Sequence, residues 1–132
     1  MNSINYVGEH LIWGKAGNFF IVLAFTTSLL SCVSYFLGIK NTSDTIRWQQ
    51  TGRTAFYIHA FSVFSIIGIL FYIVFNHCFE YYYVWQHSNK IMPMRYILAC
   101  FWEGQEGSFL LWIFWQAVIS FVIIRQKNNW EI

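Results

Sequence analysis

The stretch from Ala16 to Gly38, AGNFFIVLAFTTSLLSCVSYFLG, holds 23 residues without a charge. As a helix rising about 1.5 Å per residue it reaches about 34 Å, enough to cross a hydrocarbon core of about 30 Å. It is too long for the apolar part of a signal peptide, and no small-x-small cleavage pattern follows it. A second run covers Phe56 to Phe75, with His59 as its one ionisable side chain, and a third covers Ser108 to Ile124. The third sits at the short limit for a span, and Trp102 and Trp112 are placed to anchor its start at an interface. The sequence predicts an all-α integral membrane protein. It has three transmembrane helices over about 16–38, 56–75 and 108–124, and a short extracytoplasmic amphipathic helix between the second and third.

Composition agrees. Apolar residues make up 57% and charged residues 11% of the 132 residues, against about 25% charged in an ordinary soluble domain. Disorder needs the opposite balance. A net charge of +2 gives no electrostatic footprint for nucleic acid, so nucleic acid is excluded as a partner and membrane lipid is expected. Cys32, Cys78 and Cys100 form no C-x-x-C pair and no C-x-x-C-H haem-attachment site, which excludes a zinc ribbon, a thioredoxin-like pair and a c-type cytochrome. A bridge between Cys78 and Cys100 is the one disulfide left to consider.

The segment 40–53 reads as a polar loop. Lys40, Arg47 and Arg53 there, with Arg125 and Lys127 beyond the third span, set five basic residues against Lys15, Lys90 and Arg95. The excess of basic residues inside predicts an external N-terminus and an internal first loop. Segment 76–107 is then external. Within it Pro93 can open a short helix, and Met94, Ile97, Leu98, Phe101 and Trp102 fall on one face of it. Gly104 and Gly107 interrupt that pattern, and Ser108 is expected to cap the third span.

His59 is an intramembrane ionisable group and so a candidate for function; its plain reading is a hydrogen bond to a neighbouring helix or to water. His10, His77 and His87 lie outside the spans, and no histidine pair has the spacing of a helical metal site. Glu103 and Glu106 suggest acid–base work or, more simply, acidic residues favoured at a helix N-terminus. Tyr81, Tyr82, Tyr83, Trp85 and Trp102 read as an interfacial aromatic belt or as a platform for a flat apolar ligand.

The string WEGQEGSFLLW, Trp102 to Trp112, resembles the W-G-x-x-E-G-S-L-L-L-W stretch of CcmF-type haem lyase subunits of cytochrome c biogenesis. Trp102, Glu106, Gly107, Ser108, Leu110, Leu111 and Trp112 match it. Upstream, Tyr83, Val84, Ser88 and Asn89 resemble that family's Y-V-x-x-x-S-N element, and Pro93 and Tyr96 fall at matching offsets. Glu103 stands where the family has Gly, Gln105 where many members have His, and His87 where Asn is usual. The family's W-W-x-W-D motif and its later haem-ligating histidines do not occur among the 132 residues. Family members are several times longer, so the resemblance implies that the chain is an N-terminal fragment, a truncated reading frame or one piece of a split protein, and residues 1–132 form a single membrane region.

The resemblance implies a part in cytochrome c maturation at the bacterial inner membrane. The longer protein would present haem for covalent attachment to the C-x-x-C-H thiols of apocytochrome c, beside other maturation subunits. Trp102, Glu106, Gly107, Ser108, Trp112, Tyr83, Ser88 and Asn89 would scaffold the haem site without catalysing. Haem is the implied cofactor of the longer protein, with no axial ligand expected from this chain, and no metal is expected. Two other readings stand beside this one: a membrane assembly protein that never contacts haem, and a transporter of haem, which three spans without intramembrane charges make hard to build alone.

Overall fold

A computed structural model describes residues 11–40, 44–87, 93, 95–96, 99, 101 and 104–126. Helix α1 is Leu11–Lys40, α2 Thr45–Phe75, α3 Tyr82–His87 and α4 Gln105–Arg125. No strand occurs among the described residues. Helices α1, α2 and α4 are each long and apolar enough to span a membrane. Hydroxyl side chains sit inside the spans because several return their protons to the preceding turn. Thr27 Oγ1 donates to the Leu23 carbonyl at 2.6 Å, Ser34 Oγ to Leu30 at 2.7 Å and Ser62 Oγ to Ile58 at 2.8 Å. Without water, a polar group must find its partner within the protein.

Helices α1 and α2 pack antiparallel through small residues. Ala24, Thr27, Ser31, Ser34 and Gly38 of α1 are buried, at three- and four-residue steps, against the face of α2 that carries Gly52, Ala55, Ala60 and Val63. Ser31 Oγ donates across the interface to the Gly52 carbonyl at 3.0 Å. Lipid tails are as apolar as leucine, so close packing and such bonds, rather than a hydrophobic drive, join the helices.

The helices are longer than the charge-free runs. Helix α2 begins at Thr45, inside the segment read as a loop, and Arg47 and Arg53 ride on its first turns. No proline interrupts that segment, and arginine stems can lie along a helix with their heads in water. Thr45 Oγ1 caps α1 by donating to the Gly38 carbonyl at 3.1 Å.

Helix α2 ends in a Schellman turn. The Cys78 N–H donates to Ile73 O at 3.0 Å and the His77 N–H to Val74 O at 3.2 Å. His77 takes the left-handed position, at φ 51°, which glycine usually fills. The turn sends the chain back over the end of α2, where Val74, Cys78 and Val84 form a buried cluster. Tyr81 closes it against α1, since the Gly14 N–H donates to its hydroxyl at 2.8 Å. The start of α1 and the end of α2 therefore share one end of the molecule. Helix α4 runs back along α2, with Phe114 edge-on to Phe64 at 5.2 Å and Phe121 edge-on to Tyr57 at 5.9 Å.

Candidate functional site: the corner at the head of the third span

Helix α4 starts at Gln105, with an extended Gly104 before it (φ −87°, ψ 153°). Ser108, expected to cap the span, lies instead within the first turn, its N–H donating to the Gly104 carbonyl at 3.2 Å. The helix runs further out than the apolar stretch because Gln105 and Glu106 are good helix formers and the Glu106 carboxylate is favoured beside the positive end of the helix dipole.

Immediately above this first turn stands Phe101. Its ring stacks on Phe71 of α2, with centroids 4.5 Å apart and planes 12° from parallel, and the residue is buried. Tyr83 reaches the same place from α3, and its hydroxyl donates to the Phe101 carbonyl at 3.2 Å. Gly107 lies under that carbonyl so closely that a Cβ there would overlap the Phe101 oxygen, and it would stand 2.8 Å from the Tyr83 hydroxyl oxygen. A Cβ on Gly104 would meet the edge of the Tyr83 ring at 2.9 Å. Val84, beside Tyr83, is fully buried in the cluster at the end of α2.

The structure thus brings Tyr83 and Gly107 together, one from each sequence element. Glu106 is exposed at the head of α4 and, with Tyr83, edges a groove of about 680 Å³ that descends between α1 and α4 over α2. Ser108 and Trp112 border a separate shallow hollow of about 380 Å³, with Trp112 exposed. Ser88, Asn89 and Trp102 lie outside the described residues, as do Met94, Ile97 and Leu98 of the expected short helix, of which Phe101 is described as buried. Tyr82 and Trp85 face outward, whereas Tyr81 and Tyr83 turn in to hydrogen bonds. Phe101 is the residue that sequence reasoning undervalued. It counted only as one apolar position of a helix face, and nothing in the sequence marks its carbonyl as the point where Tyr83 and Gly107 meet.

His59 takes the plain role expected of it. Its Nδ1 lies 2.9 Å from the Ala24 carbonyl of α1. A carbonyl only accepts, so Nδ1 carries the proton, and in the neutral imidazole Nε2 is left as the acceptor. No cluster of three or more potential metal ligands occurs among the described residues. Cys78 is a free, buried thiol. Burial first, and the Glu80 carboxylate second, push its pKa above the usual thiol value, which makes it a poor nucleophile at neutral pH. Cys100, its suggested disulfide partner, lies outside the described residues.

Curated proteins are similar to the chain over most of its length. A cytochrome c-type biogenesis protein CcmF of Haemophilus influenzae is 29% identical over 109 residues, covering 83% of this chain and 16% of that protein. A cytochrome c-type biogenesis protein NrfE of the same organism is 32% identical over 119 residues, covering 84% of this chain and 18% of that protein. The chain is homologous to a segment of CcmF-type proteins. A cytochrome c-type biogenesis protein CycK of Rhizobium meliloti is 26% identical over 112 residues, covering 80% of the chain and 16% of that protein. The chain spans less than a fifth of the length of these relatives. No family model matches, and no solved structure matches.

Proposed function

We propose that this chain is the membrane anchor and corner of a CcmF-type protein, and that the corner positions the haem-presenting surface used in cytochrome c maturation. The observation that carries this reading is the meeting of Tyr83 and Gly107 at the Phe101 carbonyl. Tyr83 from one of the two family-like elements and Gly104 and Gly107 from the other pack too closely to be a casual surface. Its work is positioning. Haem, when bound, supplies the vinyl groups that react. The groove supplies apolar walls, but among the described residues no lysine or arginine lines it to meet a propionate, and Glu106 at its mouth carries the wrong sign. The described lining therefore offers haem one imidazole, His59, and no counter-charge for its propionates, and we assign the haem-holding groups to the longer protein. Apocytochrome c and the other maturation subunits would be met through the longer protein.

The reading is tested in cells lacking their own CcmF-type protein and supplied with the longer protein carrying this segment. Trp102→Ala is expected to lower covalent haem in c-type cytochromes, read by peroxidase stain at matched expression, while Thr42→Ala is silent. Full cytochrome levels with Trp102→Ala would favour the assembly protein that does not contact haem.

The proposal includes an orientation in the bacterial inner membrane, with the N-terminus and residues 76–107 outside. Lys40 at the end of α1 and Arg47 and Arg53 on the first turns of α2 support it through the basic excess at that end. In a cysteine-free background, Ser88→Cys should react with an impermeant maleimide added to spheroplasts and Ser43→Cys only after lysis. The reverse pattern would invert the assignment.

A further inference from the structure

We propose that the groove between α1 and α4 receives a further transmembrane helix, supplied by the part of a CcmF-type protein that this chain does not cover, and that this helix brings a hydroxyl or carboxamide side chain to His59 and Gln116. This inference stands apart from the haem reading.

The floor of the groove is α2, through His59, Val63 and Leu70, and its walls are α1 and α4. Its lining repeats at helical steps, as the face presented to a packed helix does. Polarity decides between occupants. Gln116 lies at the middle of the 21-residue helix α4, is exposed, and has no hydrogen-bond partner among the described residues. His59 spends Nδ1 on Ala24, and its Nε2 likewise has no partner among the described residues. Both side chains, with Ser28, also line a second hollow of about 290 Å³. These polar groups therefore converge at mid-membrane depth. Lipid tails would fill the volume but offer such groups nothing, and a carboxamide facing hydrocarbon is costly. A neighbouring helix with a polar side chain satisfies both demands, and such bonds are a common means of helix association in membranes. The relatives are longer by the length such a helix requires, since more than four-fifths of each lies outside the match.

The test places a photo-crosslinking amino acid at Ile113, beside Gln116 in the groove, and separately at Trp115 on another face of α4, in the longer protein in its native membrane. Irradiation at position 113 is expected to yield a crosslink to an apolar peptide of at least about 18 residues bearing Ser, Thr, Asn, Gln or Tyr, from the part of the protein outside residues 1–132. Gln116→Leu should lower that yield by roughly three- to tenfold, with the probe at 115 unaffected. Protection of Cys78 from alkylation checks that the variant is folded. Crosslinks at 113 only to lipid, to a small molecule or to a second copy of this segment would overturn the proposal. So would a yield that Gln116→Leu leaves unchanged.

Discussion

Gly107→Ala is expected to open the corner, and Gly107→Val to open it further. Any Cβ at Gly107 overlaps the Phe101 carbonyl oxygen, and it stands 3.0 Å from the carbonyl carbon. The obstacle is backbone, so no rotamer change relieves it. The Phe101 backbone is itself held, by the ring stack on Phe71 and the bond from Tyr83. Alanine would gain about 0.5–1 kcal/mol over glycine from helix propensity alone, less than the roughly 1–3 kcal/mol or more that overpacking costs. The reporter is Cys78, buried in the cluster with Val84, next to Tyr83. With Cys32 and Cys100 replaced, alkylation of Cys78 should speed up by at least about fivefold, the factor that 1 kcal/mol gives to a local opening. Gly68→Ala is the control, since nothing stands within 4 Å of a Cβ there. Wild-type alkylation in Gly107→Ala would mean that the close approach does not hold the corner together.

The sequence offers two reasons for a glycine between an external segment and a span: close backbone approach, or a corner that needs backbone freedom. The structure supports the first. In the structure it is an ordinary helical residue, and what it provides is room. Sequence patterns expose periodicity and charge, which is why the three spans and their order were legible. They do not expose which carbonyl lies over which Cα, so the meeting of Tyr83, Phe101 and Gly107 was not. The same limit applies at the helix ends. Charge-free runs mark the hydrocarbon-facing core, but α2 continues to Thr45 through arginines because a helix need not stop where the lipid does. His77 shows a third limit, since its left-handed backbone is set by the turn that carries Cys78 into the cluster, against the preference of histidine. For His59 the sequence left the partner open between the next helix and water, and its depth was masked because α2 begins well before the charge-free run.

Gly52→Leu is expected to pry α1 and α2 apart at the end where their turn lies. A Cβ at Gly52 meets Tyr35 ring carbons at 3.0 Å and the Ser34 Cβ at 3.4 Å, and the Gly52 carbonyl accepts the Ser31 hydroxyl. Tyr35 can tilt from a methyl group, so Gly52→Ala should be mild. Ser34 is fully buried and has nowhere to go once a leucine follows. The interhelical distance depends on the side chains at the contact and ranges over about 8–10 Å. The small residues of this interface belong to the short end of that range, and a leucine should move it by about 2 Å at a cost of roughly 1–3 kcal/mol. Separation would also strand the Ser31 hydroxyl and the Gly52 carbonyl without water to replace the bond. Nitroxide labels at Phe36→Cys and Thr54→Cys, both exposed, would read the change as a longer and broader distance distribution. Closer to the corner, the His59–Ala24 bond is independent of this contact, so labels at Phe19→Cys and Phe64→Cys should keep their distance. If Gly52→Leu leaves the first distribution unchanged, the small-residue face of α1 is not what sets the packing of the pair, and the floor of the groove, built on α2 against α1, would need another explanation for its shape.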